Sequence, residues 1–464
     1  MQGNWTDVEL YGQRPEQSSV YAMSRGISIA FLLFAVLWMA PSAHATVGCG
    51  ATSGGMAQHD QSTCGNVAPF PAAARGTPVS SCRSLTTGTY HLTKNIGGSP
   101  EAVCMTFSAG PVTLDFAGFQ ITGRIVATDI TASHSHVYSS AAGGTLTCAD
   151  HSRTAPGCLF ISAYDAVRGA LEIDHLTLRN TDGSSINSAR NLYIDWGATT
   201  SFVGTAPAVK IHHITSTSAT GLESARIPNI HVNFRYGADF HDNLITCLST
   251  AAACQGIVAF GPNAQIHNNK MVCQQLNRSN LETARAIACD SAKGCHVYNN
   301  YFDVHDNRAV RLRDVKNLPG AVDIHDNLID NVTRGVTANY IGAIHVCDPD
   351  VGSNEGSNYV IQNNTINNQD GVVLMSRGCA GYPKFRNNRI GCIAPCSGML
   401  ASIRSPLAGS TTTFELRDNA PVAFTAVPQS SIASRASVWV CNTGTIGGEG
   451  RITSLCDKVS RLFH

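Results

Sequence analysis

Hydrophobic and polar positions repeat in one short pattern through the second half of the chain. The pattern is apolar, polar, polar, Asn, any residue, apolar, and it reads IHNNKM from Ile266, VYNNYF from Val297, IHDNLI from Ile324, IQNNTI from Ile361 and FRNNRI from Phe385. Further copies start at Phe240 and Leu416. Successive copies lie 24 to 37 residues apart. Short alternating segments at that period suit coils of a parallel β-solenoid and lack the spacing of helical repeats.

The asparagine in the fourth position has a physical reason to recur. Asparagine tolerates the left-handed backbone of a tight bend between two strands, and its side-chain amide can bond to the next coil. The sequence places these residues at Asn243, Asn269, Asn300, Asn327, Asn364, Asn388 and Asn419. Two earlier coils carry an aliphatic residue there, Leu176 and Ile214. We therefore expect stacked coils with an asparagine ladder at one corner.

A second set of short apolar runs lies between these bends. The runs are GLESAR from Gly221, GIVAF from Gly256, AIACD from Ala286, AVRLR from Ala309, AIHVC from Ala343 and GVVLM from Gly371. Because strand residues alternate between faces, Val310 and Leu312 should point inward and Arg311 should point to solvent. The same alternation places Asp290, Arg313 and His345 outside. Coils about 4.8 Å apart would make these side chains neighbours.

The repeats and the opening segment together resemble the right-handed parallel β-helix family, also called pectate-lyase-like. The resemblance covers residues 82–419 and includes SCRSLTTGTYHLTKNI, Leu114-Asp115-Phe116 and Gly118-Phe119-Gln120-Ile121. It implies an all-β, single-stranded right-handed parallel β-helix, with an N-terminal cap over 46–81 and a C-terminal cap over 420–464. It also implies a saccharide cleft along one exposed sheet. The family's DPHE, G-H-G and R-x-P-x-x-R activity motifs are absent from the sequence.

The N-terminal region has the organisation of a secretory signal peptide. An apolar run of 14 residues from Ile27 to Ala40 follows Arg25 and precedes Ala43-His44-Ala45. A bilayer needs about 20 apolar residues, so the run predicts a cleaved signal at 23–45 and no stable membrane span. Residues 1–22 are then an upstream extension. We expect a secreted or extracytoplasmic protein, in the periplasm or at the cell surface.

Cysteine content agrees with export to an oxidising compartment. All 17 cysteines follow residue 48, and the close pairs are Cys148/Cys158, Cys247/Cys254, Cys289/Cys295, Cys392/Cys396 and Cys441/Cys456. Such pairs can close short disulfide loops. Paired C-x-x-C spacing is absent, which disfavours a cysteine zinc site. The odd total leaves at least one thiol unpaired.

Composition excludes some classes of partner. The chain has 32 basic and 32 acidic residues, and charged residues make up 14% of the total. A neutral chain gives no electrostatic reason to bind nucleic acid or an anionic membrane. With 43% hydrophobic residues, the chain has enough apolar surface to fold.

The candidate chemistry is that of a carbohydrate-active enzyme. Lyase cleavage of a uronic-acid polymer needs a base beside cations that neutralise the carboxylate. We assign catalysis to Asp290, Arg311, Arg313 and His345, and substrate contacts to Lys316, Asp303, His305, Asp306, Arg308 and Arg377. Hydrolysis instead needs two carboxylates, from Asp290, Asp303, Asp306 or Asp314. Calcium is a possible cofactor, with Asp348, Asp350 and Glu355 as oxygen ligands.

Two functions therefore stay open at this stage. One is a secreted polysaccharide lyase or glycoside hydrolase, and the other is a non-catalytic carbohydrate-binding or surface adhesion protein. Alternating charges on adjacent coils are also expected of surface ion pairs that have no catalytic role. We expect a stacked structural role for His212, His241, His267 and His325.

Overall fold

The computed structural model describes most of the chain between residues 69 and 441. The described ranges are 69–108, 110–128, 134–149, 157–163, 170–181, 190–196, 208–220, 227–234, 237–249, 254–275, 285–290, 294–305, 308–313, 322–332, 342–348, 355–357, 359–367, 372–377, 379–381, 384–390, 399–404, 412–417, 420–421 and 436–441. The chain divides into two units, Met1–Thr46 and Val47–His464. All described residues belong to the second unit.

Three long sheets form the described structure, and every strand pairing in them is parallel. The first sheet has 16 strands: β1 Thr77–Val79, β3 Gly88–Leu92, β6 Val112–Asp115, β9 Ser135–Tyr138, β12 Leu171–Asp174, β15 Val209–His212, β18 Ala238–His241, β21 Ala264–His267, β24 His296–Tyr298, β27 Val322–His325, β30 Glu355–Ser357, β31 Tyr359–Gln362, β34 Cys379–Gly381, β35 Lys384–Arg386, β38 Thr412–Arg417 and β40 Ala436–Cys441.

The other two sheets have 12 strands each. The second sheet consists of β2 Arg83–Leu85, β5 Val103–Phe107, β8 Arg124–Thr128, β11 Leu159–Ala163, β14 Leu192–Trp196, β17 Ile227–Phe234, β20 Cys254–Phe260, β23 Arg285–Asp290, β26 Arg308–Arg313, β29 Gly342–Asp348, β33 Val372–Arg377 and β37 Met399–Arg404. The third consists of β4 Ile96–Gly97, β7 Gln120–Thr122, β10 Thr145–Cys148, β13 Thr177–Asn180, β16 Thr215–Thr220, β19 Leu244–Ser249, β22 Lys270–Gln275, β25 Tyr301–His305, β28 Leu328–Val332, β32 Thr365–Asn367, β36 Arg389–Ile390 and β39 Ala420–Pro421.

Each regular coil passes through the first, third and second sheets in that order. The strand β18 leads to β19 and β20, and each of the three pairs with the corresponding strand of the next coil, β21, β22 and β23. This is the right-handed parallel β-helix that the repeat predicts. The pairing also includes β1 and β40, which lie outside residues 82–419. Within the described ranges, no helix has the length and apolarity needed to cross a membrane.

The core consists of inward-facing apolar rows that run along the stack. In the first sheet, one row of neighbours is almost completely buried: Ile173, Ile211, Phe240, Ile266, Val297, Ile324, Ile361 and Phe385. In the second sheet, Val310 and Leu312 are buried, as the alternation predicts. The run GLESAR lies outside the described residues, and the second-sheet strand of that coil is β17.

The asparagine ladder follows the corner between the first and third sheets. Asn300 donates from its side-chain amide to Asn327 Oδ1 at 3.0 Å and to the Ile266 carbonyl at 2.8 Å. Its own Oδ1 accepts from the backbone and side chain of Asn269. The same contacts connect Asn243 through Asn388, all of them buried. Asn419 lies outside the described residues.

The left-handed backbone lies one residue earlier than we expected. Positive φ values of 51° to 56° occur at the preceding residues Asp242, Asn268, Asn299, Asp326, Asn363 and Asn387. In two earlier coils His175 and His213 take that place. The bend residue supplies the backbone conformation, and the ladder asparagine supplies the hydrogen bonds.

Three disulfides are fully described. Cys148–Cys158 and Cys289–Cys295 are two of the close pairs noted in the sequence, and Cys82–Cys104 is a third that short spacing did not indicate. Cys247 is also disulfide-bonded. Cys273 is a buried free thiol, and burial raises its pKa to about 12. The pair Cys392/Cys396 and residue Cys456 lie outside the described residues.

Candidate functional site

The strands of the second sheet bring the predicted catalytic residues onto consecutive coils. In the backbone register, Asp290 of β23 pairs with Arg313 of β26, and Arg313 pairs with Asp348 of β29. In the adjacent row Arg311 pairs with His345. Acidic and basic residues therefore alternate along three neighbouring strands.

The exposure to solvent expected for Arg311 and His345 is wrong. Arg311 is 4% exposed and His345 is 1% exposed, although both alternate with inward-facing core residues. Arg308, which begins β26, is also buried and pairs with the buried Arg285 of β23. Strand alternation predicts which face a residue takes, but it does not predict what covers that face.

The remaining predicted residues do not form one group. Asp303 and His305 lie on β25 in the third sheet, where His305 Nε2 is 3.2 Å from Asp303 Oδ1. Asp303 also pairs in register with Asp330 of the next coil. Arg377 ends β33, in register with Arg404. Lys316, Asp306 and Asp314 lie outside the described residues.

The suggested calcium ligands are similarly divided. Asp348 ends β29 in the second sheet, whereas Glu355 begins β30 in the first. Asp350 lies outside the described residues. Calcium stays a prediction from the sequence.

A group of imidazoles and carboxylates that the sequence reasoning did not single out lies on the first sheet. We call it the histidine–carboxylate cluster, and its members are His134, His136, Glu172, Asp174, His175, His212, His213, His241 and Asp242. They belong to β9, β12, β15, β18 and the residues next to them. All four groups of metal-competent side chains found among the described residues lie in this cluster.

Glu172 and Asp174 are the centre of the cluster. Both face outward on β12, two residues apart, and each contacts imidazoles from neighbouring coils. Glu172 Oε1 is 3.0 Å from His212 Nε2, and Glu172 Oε2 is 3.6 Å from His134 Nε2. Asp174 Oδ2 contacts His136 Nε2 directly and lies 4.0 Å from His212 Nε2.

A second layer of imidazoles contacts the first. His175 Nδ1 donates to Asp174 Oδ1 at 2.6 Å. The Nδ1 atoms of His212 and His213 lie 2.8 Å apart, so one ring donates to the other. Asp242 Oδ2 accepts from His241 Nδ1 at 2.8 Å.

These contacts fix the charges at neutral pH. Burial alone would raise the pKa of Asp174, but hydrogen bonds from His136 and His175 outweigh it and lower the pKa to about 2. The hydrogen bond from His212 lowers the pKa of Glu172. Burial, helped by the neighbouring imidazoles, lowers the pKa of His213 to about 4. The centre thus holds two carboxylates, and His213 is neutral.

Beyond the cluster, the same outward row continues as a stack of rings. His212, His241, His267, Tyr298 and His325 stack face to face, with centroids 4.7 to 5.1 Å apart and interplanar angles of 3° to 12°. These four histidines have the stacked arrangement expected of a structural role. His212 differs from the others because it also belongs to the cluster.

The cluster had a signal in the sequence. The segments EIDH from Glu172, KIHH from Lys210 and DFHD from Asp239 occupy equivalent positions in three successive coils. Aligned by coil, they place acids and imidazoles in the same two columns. The sequence predicts the stacked histidines, but the acids and imidazoles beside them were missed because their columns become visible only when the register is known.

No protein-family model, no curated protein and no solved structure matches this chain.

Proposed function

We propose that the protein is an extracytoplasmic β-helix protein that acts on, or binds, an extracellular polysaccharide along its second sheet. The observation that carries this proposal is the alternation of Asp290, Arg313 and Asp348 on consecutive strands, beside the row of Arg311 and His345. Disulfides and the signal-like N-terminus support an exported protein. The resemblance to pectate-lyase-like proteins supports a saccharide partner, by analogy of fold.

The charged rows suit a uronic-acid polymer. Arginines can neutralise the sugar carboxylate while a neighbouring base removes the adjacent proton, which is the requirement for eliminative cleavage. In the backbone register, Arg313 lies between Asp290 and Asp348.

The test is an activity panel. Purified protein is incubated with neutral and uronic-acid polysaccharides, with and without calcium, while new reducing ends and the ultraviolet absorbance of unsaturated uronides are followed. Both signals rise for a lyase, and reducing ends alone rise for a hydrolase. Arg313→Ala should lower the rate at least tenfold. The control is Lys384→Ala, which removes a cation of the first sheet and should leave the rate unchanged. An unaffected Arg313→Ala enzyme would move the site elsewhere.

Burial favours a second candidate, a non-catalytic binding protein. At 4% and 1% exposure, Arg311 and His345 are poorly placed to touch a polymer. The second sheet would then serve as a binding surface, and the buried Arg311 and His345 would support it. This candidate predicts retention of the protein on an immobilised polysaccharide without product formation, and weaker retention of Arg313→Ala.

A further inference from the structure

We propose that the histidine–carboxylate cluster is a binding site for a divalent first-row transition-metal ion of the zinc type, held by His136, Glu172, Asp174 and His212. The site lies on the first sheet, whereas the proposed polysaccharide surface lies on the second. The inference therefore does not rest on the proposed function.

The distances between the ligand atoms fit such an ion. Zinc bonds to nitrogen and oxygen are about 2.0 to 2.2 Å long, so ligand atoms around a tetrahedral ion lie about 3.3 to 3.5 Å apart. His212 Nε2 lies 3.0 Å from Glu172 Oε1 and 4.0 Å from Asp174 Oδ2. His136 Nε2 contacts the same Asp174 oxygen. Ligand atoms of His136 and Glu172 also lie within 4.8 Å of one another, as do those of Glu172, Asp174 and His212, so rotations of these side chains would bring them to the spacing that zinc needs.

The backbone holds the four ligands in a fixed arrangement. His136 pairs with Glu172 in the strand register, and Asp174 pairs with His212. The ligands therefore come from β9, β12 and β15, three consecutive strands of one parallel sheet. Because the strands are joined by backbone hydrogen bonds, metal binding requires side-chain rotations and no movement of loops.

A second layer of groups orients the ligands, as is usual around bound metals. His175 Nδ1 donates to Asp174 Oδ1, which leaves Oδ2 on the side of His136 and His212. The contact between His212 Nδ1 and His213 Nδ1 engages the far nitrogen of the His212 ring, which leaves Nε2 for a metal. His175 is 95% buried, and among the described residues its Nε2 has no hydrogen-bond partner. The role of this buried ring is to orient the Asp174 carboxylate.

The donor set selects the class of ion. Two imidazole nitrogens and two carboxylate oxygens suit zinc and its first-row neighbours, whereas calcium is bound almost entirely by oxygen. Cysteine does not contribute to the cluster, so a site for soft ions is not indicated. His134, with its side chain 54% exposed, lies 3.6 Å from Glu172 on the solvent side and marks the route of entry.

The test measures zinc directly. The full protein is purified without a polyhistidine tag, stripped with a chelator and titrated with zinc chloride in a calorimeter, and bound zinc is counted after dialysis. We expect one zinc ion per chain. Glu172→Gln and His136→Gln should each weaken binding at least tenfold, and His175→Asn should weaken it by about 10- to 100-fold as an orienting residue.

The matched control is His325→Asn. His325 lies in the same column as His212, is half-buried and stacks on Tyr298, yet it lies outside the four metal-competent groups. Its loss should leave zinc binding unchanged. Because Glu172 and His136 are half-buried, their variants should fold, which thermal unfolding in chelator would verify.

Three results would overturn the site. One is a stripped protein that takes up no zinc, which would mean that the cluster is a proton-bridged network of imidazoles and carboxylates. Another is full affinity in both Glu172→Gln and His136→Gln. The third is an equal loss in His325→Asn, which would place the metal along the ring stack.

Discussion

Histidines on different coils of this protein respond to acid in opposite directions. His231 stacks between Tyr193 and Phe260, and burial next to Arg190 lowers its pKa to about 3. His325 lies at the bend, where the hydrogen bond with Asp326 raises its pKa. The sequence shows both as a histidine in a strand, and only the neighbours distinguish them.

The pH dependence of stability should reveal this difference. As the pH falls from 6.5 towards 3, the unfolded chain protonates His231 and the folded chain does not, so the free energy of unfolding falls. His231→Phe keeps the ring stack and removes that proton. Between pH 7 and pH 4, protonation at His231 should cost the wild-type protein about 3 kcal/mol of unfolding free energy, and the His231→Phe variant should not show this loss. Urea unfolding at the two pH values measures the difference.

His325→Phe provides a control of opposite sign. A raised folded pKa means that His325 stabilises the fold below its unfolded pKa, and that this contribution is lost as the pH rises through the folded pKa. Its replacement should make acid more destabilising. If both variants followed the wild-type pH profile, the assigned environments of the two rings would be wrong.

Bends between the first and third sheets divide two tasks between adjacent residues. Asn363 has a φ of 56° and is exposed, whereas Asn364 is buried and bonds to Asn388, Ile324 and Gln362. The two residues have the same side chain but depend on different properties of it. At Asn363 the backbone conformation matters, and at Asn364 the amide matters.

Substitutions at this bend should therefore differ sharply. Asn364→Ala leaves buried donors and acceptors without partners and should cost about 2–4 kcal/mol of unfolding free energy. Asn363→Gly keeps the left-handed backbone accessible and should change stability by less than about 1 kcal/mol. Chemical denaturation of both proteins measures the contrast, and equal losses would refute the division of tasks.

The elements of this fold are well encoded locally, and the site is not. Residues equivalent to Ile324, Asn327 and Ile329 recur at the same spacing in each copy of the repeat, so the sequence alone predicts a coil and its inward face. Arg311 and His345 are buried although they alternate with inward-facing residues, and local alternation does not predict that burial. Glu172 and His212 are likewise 40 residues apart and meet only because coils stack.

At the scale of the whole molecule, each coil contacts mainly the coil before it and the coil after it. Stability in such a stack is a sum of coil and interface contributions, and damage stays local. The disulfide Cys82–Cys104 joins the strands at the start of the second sheet and closes a separation of 22 residues. A loop of that size contributes about 3 kcal/mol.

Removal of this disulfide should therefore open one end of the stack. In the double variant Cys82→Ala/Cys104→Ala, we expect faster amide hydrogen exchange in residues 77–128 and unchanged exchange in residues 264–390. Cys273→Ala, which removes a buried thiol without breaking a crosslink, should affect β22 and its neighbours instead. Uniformly faster exchange in the double variant would show that the stack unfolds as one unit.

One corner of the coil has a constant length, and this affects how the chain can change. From β15 to β36, two residues separate each first-sheet strand from the following third-sheet strand, as between His212 and Thr215. The 24- to 37-residue spread of the repeat therefore arises outside this corner. Longer loops there cost little conformational entropy. Lineages of this protein should therefore acquire insertions outside this corner, and foreign peptides inserted there should be tolerated.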